Sequence, residues 1–285
     1  MLKLLAPAKI NLCLEVIGRR SDGYHEIKSI IQTIDLADEL LFEPADTLSI
    51  SADAPGWRAE QSLVSKAARL LQERTGTSLG ARVRLAKRIP LVSGLGGDSS
   101  DGAAALKGFN RLWHLGLSEA DLMEIGAALG SDVPFFFCGG TVLAEGRGEL
   151  LAPLRPYPGS WAVILMPPLR VEGGKTARLY ASLRPEDFSD GSLTEEFARW
   201  LMEGRAVPPE MFHNTFERAA FELWPDFGRY RWRFIEAGAT RVFLSGAGPS
   251  LFSLHTDHSE AERIAANLEE QGLKSFLART AGHLE

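Results

Sequence analysis

The sequence predicts an α+β protein built from two domains, and three observations support this fold class. Strand-like and helix-like segments are mixed through the first half of the 285-residue chain. A glycine-rich loop, Pro90–Ser100, lies between an apolar strand and a helical pattern. Beyond the proline-rich passage Pro153–Pro158, the order strand, helices, strand, strand, helix, strand is typical of a ferredoxin-like layer. We therefore expect one domain at residues 1–155 and a second at residues 156–285.

The elements of the first domain follow from the spacing of apolar residues. Continuous or alternating apolar runs indicate strands, and apolar residues three and four positions apart indicate helices. Helices are predicted from Leu63 to Thr75, from Ser99 to about Trp113, and from the N-cap Ser118 to Leu129. Strands are predicted at Met1–Leu5, Lys9–Val16, Ile27–Leu36, Leu40–Phe42, Ala81–Ile89, Phe135–Phe137 and Thr141–Ala144.

The second domain is predicted by the same spacing rules. A glycine-rich turn, Ser245–Ser250, is bracketed by two short apolar segments that indicate strands. The predicted elements are strands at Ala162–Met166, Arg241–Leu244, Leu251–Leu254 and Ser275–Ala278, several helices up to Ala237, and a helix at Ala261–Leu268.

The loop Pro90–Ser100 predicts a phosphate-binding site. Its glycines let the backbone approach a ligand, and the helix that follows directs unpaired N–H groups and a positive dipole end at that ligand. The loop is not a dinucleotide fingerprint, since Ser99 stands where the third glycine belongs. Gly174-Lys175-Thr176 suggests a P-loop elsewhere, but Leu169 occupies the position of its first glycine, so this pattern fails.

Composition excludes several classes of protein. Apolar residues make up 45% and charged residues 24% of the chain, as in ordinary globular proteins, and the net charge of −6 argues against nucleic-acid binding. No apolar run approaches a membrane span, and Lys3 and Pro7 interrupt the N-terminus too early for a signal-peptide core. The two cysteines, Cys13 and Cys138, suit a reducing cytoplasm, and both are expected to be buried.

The chain resembles the GHMP small-molecule kinases, which are named for galactokinase, homoserine kinase, mevalonate kinase and phosphomevalonate kinase. The resemblance rests on Pro90–Ser100, Pro7–Leu14, Arg19–Glu26, Gly130–Phe135 and Ser245–Ser250. It implies a ribosomal protein S5 domain 2-like first domain and a ferredoxin-like second domain. It also implies a cytoplasmic enzyme, monomeric or homodimeric, that phosphorylates the 2-hydroxyl of 4-diphosphocytidyl-2-C-methyl-D-erythritol with ATP, in non-mevalonate isoprenoid synthesis.

The resemblance implies that Asp132 and Lys9 act together in catalysis. Asp132 is the candidate base, because a carboxylate with a reference pKa near ~3.9 is ionised at neutral pH and can accept a hydroxyl proton. Lys9 lies in an apolar segment, where an ammonium needs a carboxylate partner. From the residues alone, an ordinary turn aspartate is the favoured interpretation of Asp132, and a strand-end position facing solvent is the commoner one for a lysine such as Lys9. Asn11 shares a strand face with Lys9 and is a candidate substrate ligand.

The resemblance implies that Tyr24 and His25 recognise cytidine, by ring stacking and by hydrogen bonds to the base edge. Tyr180 would supply the opposite stacking face, and Thr176 would contact the same substrate. Arg147 is a candidate ligand of the substrate diphosphate, although a surface turn arginine is an equal interpretation.

For ATP, the resemblance implies Leu63 and Lys87 near the adenosine and the glycine loop around the phosphates. Val92 and Asp98 stand where the family usually has glycine, and Ser62 stands where asparagine is common. Asp98 would have to turn away from the phosphates, cap a helix or help to hold a cation. The predicted loop ligands are Pro90, Leu91, Val92, Ser93, Gly94, Leu95, Gly96, Gly97, Asp98, Ser99 and Ser100.

Mg²⁺ is expected to arrive with ATP, because the sequence shows no dense carboxylate cluster that suggests an all-protein metal site. The expected partners are small molecules, with no nucleic acid and no membrane. The alternatives are a GHMP kinase for homoserine or mevalonate, an ATP-binding sensor without catalysis, and a P-loop switch. The departures at Val92 and Asp98 keep the sensor open, whereas Lys9 and Asp132 argue against it.

Overall fold

Two long strands form the centre of the first sheet in this computed structural model, which describes residues 1–171 and 173–282. β1 (Leu2–Arg19) and β2 (His25–Ala45) pair in antiparallel orientation along their whole length. The sequence predicted two strands in place of each. That prediction is wrong because the ladder continues through irregularities in its register, one of them between Pro7 and Ala8.

The strands of the described residues form one seven-stranded and one four-stranded sheet. The remaining strands are β3 (Leu48–Ala52), β4 (Gly80–Ala86), β5 (Thr141–Gly146), β6 (Leu150–Pro153), β7 (Trp161–Met166), β8 (His213–Asn214), β9 (Phe243–Leu244), β10 (Leu251–His255) and β11 (Lys274–Arg279). The larger sheet has the order β3-β4-β2-β1-β8, with β5 paired to β2 and β6 paired to β5. The sequence analysis missed β3, β6 and β8.

The smaller sheet has the order β11-β7-β10-β9 and is antiparallel throughout. Numbered along the chain within this sheet, the order is 4-1-3-2, since β7 comes first and β11 last. This is the ferredoxin-like arrangement that the sequence predicts. The α+β fold class is therefore confirmed.

The helices cover the sheets. They are α1 (Leu63–Thr75), α2 (Gly97–Leu112), α3 (Glu119–Leu129), α4 (Phe135–Cys138), α5 (Lys175–Ala181), α6 (Ser192–Met202), α7 (Phe216–Leu223), α8 (Phe227–Glu236) and α9 (His258–Glu270). Single 3₁₀ turns lie at Ala59–Gln61, Pro185–Asp187 and Pro209–Met211. Ser118 caps α3 as predicted, and its hydroxyl and the Asp121 carboxylate form a capping box.

The prediction of a strand at Phe135–Phe137 is wrong, since this run forms the short helix α4. Pro134 precedes it with helical dihedral angles, and all three phenylalanines are buried in the core beside α2 and α3. A continuous apolar run of this length indicates burial on all sides, and it does not distinguish a buried strand from a buried helical turn.

The two sheets share a core. Ala8, Ile10 and Leu12 of β1 pack in one cluster with Ile164 of β7 and Phe252 of β10, and each is at most 1% exposed. β8, which lies beyond residue 156 in sequence, pairs in parallel with β1 of the larger sheet. The division at residues 155 and 156 stays a prediction.

Cys13 is completely buried, as expected, whereas Cys138 at the end of α4 is only half-buried. The expectation for Cys138 is wrong because the chain leaves the core at the Gly139–Gly140 turn. Among the described helices, none has both the length and the apolar character needed to cross a membrane.

Candidate active site

A cleft of about 960 Å³ lies beside β1 and β2 and is lined by most of the predicted site residues. The loop that follows β4, the turn before α4 and the start of α5 all open into it. The predicted residues that line it are Lys9, Asn11, Tyr24, His25, Lys87, Pro90–Gly94, Gly96–Ser99, Asp132, Arg147, Thr176 and Tyr180.

Three residues predicted to bind ATP do not line this cleft: Leu63, Leu95 and Ser100. Each is buried: Leu95 and Ser100 belong to the loop, and Leu63 is the first residue of α1. Leu95 packs in the core shared by the sheets, and its carbonyl accepts a hydrogen bond from the Lys9 backbone N–H at 2.9 Å. Contacts of these three residues with ATP stay predictions.

The glycine loop leads directly into α2, as the sequence predicts. Gly96 is the N-cap residue with φ +75°, and Gly97, Asp98 and Ser99 of the first turn of α2 line the cleft, where unpaired N–H groups can bind an anion. A Cβ atom on Gly96 would lie 2.7 Å from Cζ of Phe136 and 3.0 Å from Cγ of Lys9. Only glycine therefore allows the helix start to lie against the Lys9 side chain.

Lys9 and Asp132 meet in this cleft, 3.8 Å apart from Nζ to Oδ2. The Lys9 ammonium also donates to Oδ1 of Asn11 at 2.6 Å, and Asn11 Nδ2 donates to the Ser29 hydroxyl at 2.8 Å. Lys9 is only 5% exposed, whereas the Asp132 side chain is 45% exposed. Burial lowers the pKa of Lys9, and the neighbouring Asp132 carboxylate opposes that shift. The structure brings the two groups together as predicted, while their catalytic roles stay predictions.

The turn between α3 and α4 holds Asp132 at the cleft wall. The Val133 N–H donates to the Gly130 carbonyl at 3.1 Å, and Val133 itself is completely buried. The carboxylate next to this anchor is left accessible on the cleft side. An accessible carboxylate beside a buried ammonium can accept a proton from a hydroxyl group that enters the cleft.

The C-terminal glycine turn lines the cleft beside Lys9 and packs on the phosphate loop. A Cβ atom on Gly246, which has φ +53°, would lie 3.0 Å from both the Gly94 carbonyl oxygen and Lys9 Nζ. Asn214 Nδ2 donates to the carbonyls of Leu244 and Gly246, both at 2.9 Å. The sequence analysis missed Asn214, whose place after an irregular segment gave no periodic signal.

Two further hydrogen bonds join the glycine turn to the loop. The Ser250 N–H donates to the Ser93 carbonyl at 3.0 Å, and the Ser245 hydroxyl donates to the Gly94 carbonyl at 3.2 Å. The backbones of the two turns therefore lie directly against each other.

Aromatic side chains occupy the other end of the cleft. The rings of His25 and Tyr180 stack with centroids 4.5 Å apart, and Tyr180 also contacts the Phe216 ring edge-on. The guanidinium of Arg147 lies 4.8 Å from the centroid of the Tyr24 ring, which is 54% exposed. In this arrangement Tyr180 rests against His25, and stacking of Tyr24 and Tyr180 on a base stays a prediction.

His25 is suited to hydrogen bonding with a neutral ligand. Its Nε2 atom is buried without a hydrogen-bond partner among the described residues. Burial, together with the charge of Arg19, lowers the pKa of His25, so the ring is neutral at pH 7 and carries one donor and one acceptor nitrogen.

Lys87 is held by two carboxylates beneath the phosphate loop. Its Nζ lies 2.5 Å from Oδ2 of Asp38 and 2.6 Å from Oδ2 of Asp101, all of them buried. Burial works against the charge on Lys87, but Asp101 and Asp38 outweigh it and raise its pKa. A contact between this ammonium and adenosine stays a prediction, and the observed contacts give Lys87 a structural role.

Asp98 turns away from the loop and bonds to a neighbouring helix. Its Oδ1 atom accepts a hydrogen bond from the Leu63 N–H at 3.2 Å, at the first residue of α1. Ser62 caps the same helix by accepting from the Ser65 N–H at 3.2 Å. Capping of a helix was one of the outcomes expected for Asp98. Asp98 lies in α2, but the helix that it caps is α1.

Lys175 is a cleft residue that sequence reasoning used only to reject a P-loop. It is the first residue of α5, it is 7% exposed, and it lines the cleft. The sequence signal was the pair Lys175-Thr176 after two glycines. The sequence alone does not show that the helix that begins there lies against the cleft.

Comparison with known proteins agrees with this fold and site. The family model described as GHMP kinases N terminal domain matches residues 62–140, and the model described as GHMP kinases C terminal matches residues 193–274. The chain is therefore an ATP-dependent small-molecule kinase of the GHMP class. A 4-diphosphocytidyl-2-C-methyl-D-erythritol kinase from Dehalococcoides mccartyi is 52% identical, with 100% of both chains covered. The chain belongs to the family of 4-diphosphocytidyl-2-C-methyl-D-erythritol kinases.

The solved structures point the same way. A crystal structure of 4-(cytidine 5'-diphospho)-2C-methyl-D-erythritol kinase matches with a TM-score of 0.82 and 36% identity, covering 99% of this chain and 100% of that chain. A homoserine kinase from Cytophaga hutchinsonii matches with a TM-score of 0.74 at 20% identity, covering 98% of this chain and 94% of that chain. At this identity, the match to the homoserine kinase shows a shared fold and nothing about the substrate. The expected GHMP kinase fold is thus confirmed, and the other substrates are not favoured.

Proposed function

We propose that the chain transfers the γ-phosphoryl group of ATP to the 2-hydroxyl of 4-diphosphocytidyl-2-C-methyl-D-erythritol. The products are the 2-phosphate and ADP, in the non-mevalonate route to isoprenoid precursors. The observation that carries this proposal is the Lys9–Asp132 pair, which lies in the same cleft as the glycine loop and the start of α2. The names of the full-length relatives supply the acceptor.

In the proposed reaction, Asp132 accepts the proton of the 2-hydroxyl as its oxygen attacks the γ-phosphorus. The bond between the γ-phosphorus and the β,γ-bridging oxygen breaks, and ADP leaves with that bonding electron pair. Lys9 lies next to the base, so its ammonium stabilises the negative charge that develops on the acceptor oxygen and the transferring group. Asn11 orients the ammonium through a hydrogen bond of 2.6 Å.

The nucleotide phosphates would bind the backbone N–H groups of the glycine loop and of the first turn of α2. Phosphate at a helix N-terminus is favoured by the unpaired N–H groups and by the helix dipole. Mg²⁺ would enter as part of the ATP complex, since the described residues contain no group of three or more His, Cys, Asp and Glu side chains able to hold a metal ion. Asp98 does not oppose the phosphates, because its carboxylate caps α1.

The cytidine end of the acceptor would bind at the aromatic end of the cleft. His25 offers a buried Nε2 without a described partner to the base edge, and the rings of Tyr24 and Tyr180 offer apolar faces for stacking. Arg147 would bind the diphosphate that follows the nucleoside, and Thr176 the same substrate near α5. Both cysteines are outside disulfides, which supports action in the cytoplasm.

A coupled assay of ADP release tests this function. The protein with Mg²⁺ and ATP is given 4-diphosphocytidyl-2-C-methyl-D-erythritol, homoserine or mevalonate in parallel reactions. Rapid ADP release with the cytidyl acceptor alone, and a new phosphomonoester signal in ³¹P NMR, are the expected results. Faster turnover of homoserine or mevalonate would reject the acceptor, and ATP binding without turnover on any of the three would favour a sensor.

A further inference from the structure

Lys175 joins two turns that meet at the floor of the cleft. Its Nζ donates to the carbonyl of Val92 in the glycine loop at 2.7 Å and to the carbonyl of Gly248 in the C-terminal turn. The lysine itself starts α5, so three separate parts of the chain converge on one buried ammonium. An ammonium has three donors and no acceptor, and two of these donors hold the backbones of opposing turns.

Val92 has an unusual backbone conformation at this contact. Its φ is +55°, in the left-handed region, where a β-branched residue is a genuine outlier. The Val92 side chain is 52% exposed, so burial of its apolar surface does not compensate for the strain. The hydrogen bond from Lys175 to the Val92 carbonyl fixes the orientation of the peptide that follows, and it therefore favours the strained conformation over its relaxed alternatives.

Two features of the cleft disfavour the positive charge of Lys175. Burial and the positive charge of Lys9 lower the pKa of Lys175 to about 7. A second cation beside Lys9 is unfavourable in the protein by itself, and a polyanion bound at the adjoining loop would relieve that repulsion. Binding of a nucleotide and charging of Lys175 therefore reinforce each other.

We propose that Lys175 is a positioning residue that latches the glycine loop to the C-terminal turn and holds Val92 in its left-handed conformation. In that conformation the loop presents its N–H groups to the nucleotide phosphates. The proposal rests on the proposed function only in taking ATP as the ligand of the loop. Lys175 acts through the backbone, and the transfer chemistry stays with Lys9 and Asp132.

The test measures equilibrium binding of the Mg²⁺ complex of adenosine 5'-(β,γ-imido)triphosphate to the full chain, without acceptor. Lys175→Met should weaken binding roughly 5- to 30-fold. Without the lysine, Val92 relaxes from its left-handed conformation, and the free energy needed to restore that conformation on binding corresponds to this factor. Adding Val92→Gly should restore most of the affinity, because glycine adopts positive φ without strain and needs no latch. A loss that came from the missing charge alone would not be restored by this second change.

His114→Gly is the matched control for the second change. His114 also has a positive φ, of +53°, but it follows the C-terminal end of the 16-residue helix α2, roughly 24 Å from the loop. The substitution His114→Gly relieves similar backbone strain away from the cleft. Added to Lys175→Met, it should raise the free energy of unfolding without restoring nucleotide binding. Equal rescue by His114→Gly and Val92→Gly would overturn the proposal, and so would absence of rescue by Val92→Gly.

Lys175→Gln provides a second comparison, and circular dichroism checks that each variant folds. The amide N–H groups can donate to both carbonyls without a charge, so Lys175→Gln should bind the nucleotide at least about threefold more tightly than Lys175→Met, which lacks both the charge and the donors. A loss as large as that of Lys175→Met would overturn the latch. If Lys175→Met does not fold, Lys175→Ala with and without Val92→Gly gives the same comparison, because alanine also lacks the donors. Because no acceptor is present, these results are independent of whether the proposed acceptor is correct.

Discussion

Substitution of Gly96 by alanine should disturb catalysis more than it disturbs folding. Gly96 has φ +75°, and alanine in the left-handed region costs about 1–2 kcal/mol. The new Cβ would lie 2.7 Å from Cζ of Phe136, whereas carbon atoms pack best at about 3.5–4.0 Å, so the ring or the loop has to move by roughly 0.8 Å. Such overpacking adds about 1–3 kcal/mol, which gives a total destabilisation of roughly 2–5 kcal/mol.

The same substitution places the new methyl group 3.0 Å from Cγ of Lys9. Displacement of the Lys9 side chain or of the start of α2 misaligns the ammonium with the transferring phosphoryl group. Misplacement on the order of 1 Å costs up to about 100-fold in rate, so kcat of Gly96→Ala should fall by roughly 10- to 100-fold. The measurements are urea unfolding for stability and coupled ADP release for kcat, at saturating ATP and acceptor.

Gly116→Ala is the matched control, because Gly116 has φ +71° and a Cβ there would meet no atom within 4 Å. It should lose only the roughly 1–2 kcal/mol of left-handed strain and keep its kcat. The reasoning would be refuted if folded Gly96→Ala had a kcat within threefold of that of Gly116→Ala.

Two further predictions concern buried charges. Lys87→Met leaves the carboxylates of Asp38 and Asp101 buried without their cation, so urea unfolding should show a loss of about 3–5 kcal/mol; a loss under about 1 kcal/mol would argue against this structural role. For Lys175, the folded-state pKa of about 7 lies below the ordinary 10.5, so between these values the unfolded chain binds more protons and stability rises with pH. The unfolding free energy of the wild type should therefore rise relative to Lys175→Met between pH 7 and 9, by roughly 2–3 kcal/mol, and a pH-independent difference would contradict this.

The sequence analysis located the phosphate loop and the Lys9–Asp132 pair by different routes. The loop follows from local chemistry, since glycines before a helix start have a direct physical meaning. The pairing of Lys9 with Asp132 depended on the family resemblance, because 123 positions separate them and no periodic pattern joins them. The structure shows them 3.8 Å apart.

Other features depend on tertiary contacts that local patterns do not encode. The partners of Lys87, Asp38 and Asp101, come from a strand and a helix far apart in sequence. The helix at Phe135–Cys138 has the composition of a buried strand, so only its packing distinguishes the two. β8 has two residues, which is too short for any alternation to show. Lys175 follows two glycines, but the sequence analysis used that pattern only to reject a P-loop.

Single-turnover kinetics of Asp132→Asn test the central claim, that this carboxylate takes the acceptor proton beside Lys9, most directly. Asparagine keeps the shape of the side chain and removes the proton acceptor, so the rate of phosphoryl transfer should fall by roughly 10²- to 10⁴-fold. The affinity for the non-hydrolysable ATP analogue should stay within about threefold, because Asp132 lies outside the glycine loop. A transfer rate equal to that of the wild type, in a variant that folds and binds the nucleotide, would contradict the assignment.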